Sequence, residues 1–178
     1  MRILLFSLNF HPEELAIARY SSEMCDYFTT AGMDVNIIAG NPYYPEWKVR
    51  DGFNKLYYNQ RIFRKSRVLH CPHYVPRRPS FLRRLIHYIS YSISSFIGCV
   101  YLTLRFRPKL AIFVAPSIIA NFPSAIFCRC LKIKCHIHVQ DLEADAAVET
   151  NLITTPFYRT LAKLAQRFLF LPYTSVST

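Results

Sequence analysis

The sequence predicts an α/β fold in which a parallel sheet is covered by helices on both faces. Three observations predict it. Short, near-continuous apolar runs recur along the chain as RILLFSLNF, DVNIIAG, KLAIFVAP and KIKCHIHVQD, the pattern of strands buried on both faces. Between them lie segments whose apolar residues return every three or four positions, as on one side of a helix. Glycine is scarce at 4 and proline plentiful at 11, which suits many strand ends and turns better than flexible linkers.

RILLFSLNF opens the chain as a buried strand. Pro12 permits a helix start, and Glu13 and Glu14 would sit in its first turn, where carboxylates suit the dipole. Ile17, Tyr20, Met24, Tyr27 and Ala31 follow at helical spacing, predicting the inward face, and Gly32 ends the helix. DVNIIAG is the second strand. Strand, helix and strand make a βαβ unit. Asn41 to Gln60 reads as a long aromatic loop, of the length usually associated with function. RIFRKSRVLHCP resumes extended structure, and Pro72, Pro76 and Pro79 interrupt it before Ser80, a suitable N-cap.

Phe81 to Phe106 is a long apolar helix. Leu85 to Leu104 holds no Lys, Arg, Asp or Glu, a length that could span a bilayer. Its pattern is two-sided, however. Leu82, Leu85, Ile86, Ile89, Ile93, Phe96, Ile97, Val100 and Leu104 share one side, and Arg84, His87, Tyr91, Ser94, Ser95 and Gly98 the other. That division favours a helix packed on a sheet or lying in a membrane interface over a span. KLAIFVAP, a helix from Ser117 to about Leu131, and KIKCHIHVQD come next. Thr155-Pro156 opens a last helix with Phe157, Leu161, Leu164, Phe168 and Leu171 inward. Pro172 stops it, and YTSVST begins one more strand.

Composition bounds the function. The 178 residues suffice for one domain with a core, and 52% hydrophobic content argues against disorder. The formal charge of +11 favours polyanionic partners: nucleic acid, anionic lipid or phosphorylated small molecules. Arg61, Arg64, Lys65, Arg67, Arg77, Arg78, Arg83 and Arg84 concentrate that charge in the middle third. The six cysteines include no C-x-x-C pair, so they read as small core residues in a reducing compartment rather than as a zinc site. The N-terminus lacks a signal peptide's long apolar run and cleavage site, so the chain is expected to start in the cytoplasm.

In a parallel sheet, ligands bind beyond the carboxyl ends of the strands. Those ends are Asn9 to Glu13, Asn41 to Trp47, Ala115 to Ser117 and Gln140 to Asp145. The last delivers Asp141, Glu143 and Asp145 together. They could ligate magnesium, one could act as a general base toward a hydroxyl, or Asp141 could cap the next turn with the others solvated. His136 and His138 share a strand face and read more readily as a hydrogen-bonded pair than as a metal site. Neither a nucleophile elbow nor a P-loop nor G-x-G-x-x-G is present, which disfavours dinucleotide chemistry. The basic patch carries no recognised RNA-binding signature, so nucleic acid is not an expected partner.

LNFHPEELAIARYSSEM, NPYYPEWKV, CPHYVPRRPSFLRRLIHYISYSISS, VAPS and HVQDLEADAA stand in order. Together they resemble the N-terminal half of family 4 retaining glycosyltransferases, with the colanic-acid-type exopolysaccharide enzymes as the nearest group. The resemblance runs from Met1 to about Arg167. It implies the N-terminal half of a GT-B fold, two Rossmann-like domains facing across a cleft, with the acceptor side in this chain and the nucleotide-sugar side in the other. It further implies a nucleotide-sugar donor, a lipid-linked oligosaccharide acceptor, no catalytic metal, no cofactor, and work at the inner face of the cell membrane. Acceptor binding then becomes the better account of the acids. Mapped residue by residue, it makes Gln140, Asp141 and Glu143 the catalytic candidates. Asn9, Glu13, Ala16, Tyr43, Tyr44, Trp47 and Asp145 become substrate-binding candidates, and Arg77, Arg78, Arg83 and Arg84 membrane contacts.

Two departures qualify the resemblance. Ala16-Ile17-Ala18 stands where the family usually has Gly-Ile-Gly, so close backbone approach to donor phosphate is in doubt. The chain also stops at Thr178, where a second domain is expected, and its tail FLFLPYTSVST is apolar where the family carries charge. Residues 1–178 are thus expected to form one acceptor-side domain, with the C-terminal nucleotide-sugar domain absent or supplied by a separate partner, and to be inactive alone. The alternative is a non-catalytic membrane-binding module, the relic of a truncated transferase.

Overall fold

The computed structural model describes residues 1–14, 17–115, 117–140 and 167–178. The strands are β1 (Arg2–Ser7), β2 (Asp34–Gly40), β3 (Asn59–Phe63), β4 (Ser66–Cys71), β5 (Leu110–Ala115), β6 (Lys134–Val139) and β7 (Ser175–Ser177). The helices are α1 (Ile17–Thr30), α2 (Phe81–Phe106) and α3 (Ile118–Cys130). The strands form one sheet in the order β3-β4-β2-β1-β5-β6-β7. Every pairing is parallel except β3 with β4. This is an α/β, Rossmann-like sheet flanked by helices, consistent with half of a GT-B fold.

The period of two along each strand divides the core into two layers. Leu4, Phe6, Ile38, Ala111 and Phe113 point to the face covered by α2 and α3. Ile3, Leu5, Val35, Ile37, Ile112 and Val114 point to the face covered by α1. Phe6 and Phe113 are partners in register across β1 and β5, and their rings stack with centroids 4.3 Å apart. Gly40 closes β2 where a side chain would not fit, because a Cβ there would lie 2.8 Å from the Leu8 carbonyl.

Four expectations need correction. RIFRKSRVLHCP is not one extended run but most of an antiparallel hairpin, turned at Arg64 with φ 54°. Glu13 and Glu14 precede α1 instead of forming its first turn. The buried face of α1 is Ala18, Ser21 and Cys25, with Ile17, Met24 and Phe28 partly buried beside it, whereas Tyr20 and Tyr27 are exposed. Phe168 and Leu171, expected inward, are exposed too; the rest of the predicted last helix, up to residue 166, lies outside the described residues.

The two-sided pattern of α2 is present in the structure. The helix packs on the sheet through His87, Tyr91, Ser94, Ser95, Gly98, Cys99 and Thr103. Leu82, Leu85, Ile86, Ile89, Ile93, Ile97 and Leu104, on the apolar side, are exposed. Small residues let the helix approach closely: a Cβ on Gly98 would already lie 3.1 Å from the Leu69 side chain. The buried hydroxyls of Ser94 and Ser95 donate to the carbonyls of Tyr91 and Ser92, each at 3.2 Å. Burying them therefore leaves no unpaired donor. By length and composition α2 could cross a membrane, but one of its sides is occupied by the sheet.

The final strand accounts for the histidine pair. His136 Nδ1 and Nε2 lie 2.7 and 2.9 Å from the hydroxyls of Ser175 and Ser177, and His138 Nδ1 lies 2.9 Å from Ser177. The pair binds β7 to β6. Among the described residues no group of three His, Cys, Asp or Glu could hold a metal. All six cysteines are free.

Candidate functional site

Strands β2, β1, β5 and β6 are consecutive neighbours and run parallel, so their carboxyl ends form one rim, where α/β sheets bind ligands. Of the predicted rim residues, Asn9, Glu13, Tyr43, Tyr44, Trp47 and Gln140 are described. Ala16, Asp141, Glu143 and Asp145 lie outside the described residues.

Glu13 organises the rim. It is buried, and its Oε1 accepts hydrogen bonds from the backbone N–H groups of Tyr43 at 2.6 Å and Tyr44 at 2.8 Å. Its Oε2 accepts from Asn9 Nδ2 at 2.9 Å. One carboxylate thereby joins the loop after β1 to the loop after β2. Burial raises its pKa, while the hydrogen bonds from Tyr44, Asn9 and Tyr43 act in the opposite sense. Such donors favour the charged form, against desolvation. Beside it opens a cavity of about 460 Å³, walled by Pro12, Glu14, Tyr44, Glu46, Lys48 and Arg50. Its lining is rich in carboxylates and cations, a chemistry that suits hydroxyl groups better than a hydrocarbon.

The aromatic residues separate into two roles. Tyr44 is exposed at the cavity. Tyr43 is buried behind it, packed edge-on against His73 and His87 with centroids 5.5 and 4.7 Å away. Trp47 adopts a left-handed φ of 50°, uncommon for a bulky side chain and a mark of local strain. It leans on Tyr43 and His87, and the Arg84 guanidinium lies 5.5 Å over its ring. The start of α2 is thus joined to the rim by a cation–π contact.

Sequence reasoning missed a buried layer beneath these aromatics. His73 Nε2, His87 Nε2 and Tyr91 OH are buried there without hydrogen-bond partners among the described residues. Burial, and then the neighbouring His87, push the His73 pKa down to about 3, and burial lowers His87. Both are neutral near pH 7. The histidines of CPHYV and LIHY carried no distinguishing spacing, and only the fold brings them together.

Gln140 stands at the end of β6. Both its amide oxygen and its amide nitrogen are buried without a partner among the described residues. A buried primary amide with neither function satisfied is rare and calls for an explanation. Arg77, Arg78, Arg83 and Arg84 are all exposed. None of them has a carboxylate partner among the described residues, whose ion pairs are Arg19–Glu23, Lys48–Asp51 and Arg64–Asp26.

The sheet and its open rim are those of a Rossmann-like α/β domain, consistent with half of a GT-B fold. The chain is 32% identical over 168 residues to the "Putative colanic acid biosynthesis glycosyl transferase WcaI" of Escherichia coli (strain K12). That alignment covers 94% of this chain but 41% of the relative, so the chain spans about two fifths of the relative's length. The alignment supports a likeness to the family 4-like, colanic-acid-type glycosyltransferases. No protein-family model matches it.

Proposed function

We propose that this chain is the acceptor-side part of a glycosyltransferase of exopolysaccharide synthesis, which moves a sugar from a nucleotide-sugar to a lipid-linked oligosaccharide. The observation that carries this reading is the similarity to a colanic acid glycosyl transferase across 94% of the chain. In this reading the acceptor's sugar lies on the rim. Tyr44 is the exposed aromatic that can cover a sugar face, and Gln140, whose amide is unsatisfied, hydrogen-bonds a sugar hydroxyl. Asn9 and Glu13 hold the two rim loops in register. Asp141 and Glu143 follow Gln140 directly and are assigned to receive the acceptor hydroxyl, one of them as the proton acceptor. The donor nucleotide would be held by a second domain outside these 178 residues.

Peripheral attachment to the inner face of the cell membrane belongs to the same reading. Arg77, Arg78, Arg83 and Arg84 are exposed and have no carboxylate partner among the described residues, and such clusters attract anionic headgroups. Sugar transfer by the full-length protein carrying Asp141→Ala or Glu143→Ala tests the assignment. Loss of turnover with an unchanged melting temperature is expected, and undiminished turnover in both variants would sink it.

A further inference from the structure

A second cavity, larger than the one at the rim, lies at the opposite end of the sheet. It measures about 520 Å³ and opens between β2, β3, β4 and the last turns of α2. Asn36 precedes Ile38 by two positions and Arg67 precedes Leu69 by two, so both side chains face α2. The two are register partners across β2 and β4. Gln60 stands opposite Leu69 on β3 and faces the same way. Tyr101 and Arg105, one turn apart on α2, close the other wall. Arg61 pairs instead with Val68, whose side chain belongs to the α1 layer, and lies over Phe53. Its guanidinium is therefore on the other face of the sheet and takes no part.

The floor of this cavity holds an unanswered polar group. Asn36 is only 6% exposed, yet its side-chain amide has no hydrogen bond among the described residues. A buried amide with neither its N–H groups nor its oxygen satisfied calls for a partner. The mouth is cationic. Arg67 and Arg105 are exposed there, and no carboxylate lines the cavity among the described residues. The side chains of Arg67 and Gln60 make no hydrogen bond among those residues, and Arg105 makes one, to the Tyr101 hydroxyl at 3.3 Å. Both guanidiniums thus keep free N–H groups in the fork that suits phosphate. The shape of the site follows: amides that can read hydroxyls inside, a paired positive charge outside. A bare anion held at the mouth would leave Asn36 unanswered. A neutral sugar would leave the two guanidiniums without a counter-charge. A nucleobase would need an open ring face, and the Tyr101 ring already carries the Arg105 guanidinium, 5.3 Å from its centroid. A small molecule with hydroxyls at one end and a phosphate at the other answers every group, and the volume suits one.

We propose that this cavity binds a phosphorylated monosaccharide, with its phosphate between Arg67 and Arg105 and its hydroxyls on Asn36 and Gln60. The site lies at the amino ends of the parallel strands, across the whole sheet from the rim, so a ligand here is not a substrate at the rim. The proposal makes no use of sugar transfer, and the two readings can fail separately.

Titration calorimetry of the 178-residue chain tests it, with glucose 1-phosphate as the probe and glucose and inorganic phosphate as its two halves. Saturable binding of glucose 1-phosphate is expected, tighter than that of either half. Arg67→Gln and Arg105→Gln should each weaken it at least about tenfold, the usual worth of a hydrogen bond to a charged group. Both positions are exposed, so these variants keep the fold. Asn36→Leu should weaken glucose 1-phosphate while leaving inorganic phosphate binding as it was, which a general loss of folding would not do. Arg19→Gln removes the same charge from α1, on the other face of the sheet, and should change nothing. Arginine variants that bind like Arg19→Gln would overturn the site. Inorganic phosphate binding as tightly as glucose 1-phosphate would overturn the sugar half of the assignment, and glucose doing so would overturn the phosphate half. Binding lost in Gln140→Ala but kept in Arg67→Gln would place the ligand at the rim and overturn the second site.

Discussion

The two ends of the sheet are built on opposite principles. At the carboxyl end, most polar groups are tied to one another: Glu13 serves the N–H groups of two loop residues and the amide of Asn9. Gln140 and the buried histidine layer are the exceptions. At the amino end, the Arg67 side chain has no hydrogen bond or ion pair among the described residues, and Arg105 donates at 3.3 Å to the Tyr101 hydroxyl. A tied end is held in one geometry, and a loose one is not. Rim substitutions should therefore cost folding stability, and substitution of these arginines should cost little.

The largest expected effect comes from Glu13→Ala. It leaves the N–H groups of Tyr43 and Tyr44 without an acceptor, at least one of them buried, and should cost about 2–4 kcal/mol in a denaturant melt. Glu13→Gln keeps one acceptor oxygen for them and should cost less than half as much. Equal losses for the two would mean that the carboxylate's charge, not its hydrogen bonds, holds the loops.

The next effect is on pH dependence. Burial lowers the pKa of His70 to about 4 and of His73 to about 3, below the usual histidine value of 6.5. A histidine held neutral in the fold takes up its proton more readily when unfolded. Its contribution is therefore complete above pH 6.5 and is lost as pH falls toward 4 and then 3, by up to about 1.4 kcal/mol per pH unit for each ring. His73→Phe should flatten the acid limb of the stability profile while lowering stability at pH 7 through loss of its contact with the Cys71 carbonyl, 3.1 Å away. A profile as steep as that of the parent would remove His73 from the account.

Smaller still, Arg84→Ala should cost about 0.5–1 kcal/mol by uncovering Trp47. Arg67→Gln should be the smallest, within about 0.5 kcal/mol. A large loss of stability from Arg67→Gln would erase the contrast between the two ends.

The order of strands and helices was legible because both periodicities were strong. The first strand's continuous apolar run marked it as buried on both faces, and the strand's period of two puts Leu4 and Phe6 opposite Ile3 and Leu5. The β3–β4 turn was not legible, because Arg64 takes a left-handed φ there without glycine or asparagine. The two sides of α2 were legible, but which of them packs on the sheet was not. Close helix–sheet approach selects Ser94, Ser95, Gly98 and Cys99, and a hydrophobicity pattern cannot see packing distance. Glu13 was marked by its place on the rim, but its role depends on backbone donors some 30 positions away, which no local motif encodes. The acids Asp141, Glu143 and Asp145 were the clearest signal in the sequence and lie outside the described residues.

The most direct test of the acceptor-side assignment compares one variant from each end, Gln140→Ala and Arg67→Gln, in sugar transfer to a detergent-solubilised lipid-linked acceptor. The account predicts that Gln140→Ala loses turnover while Arg67→Gln keeps it. Full turnover by Gln140→Ala would contradict the claim that the sugar is held at this rim.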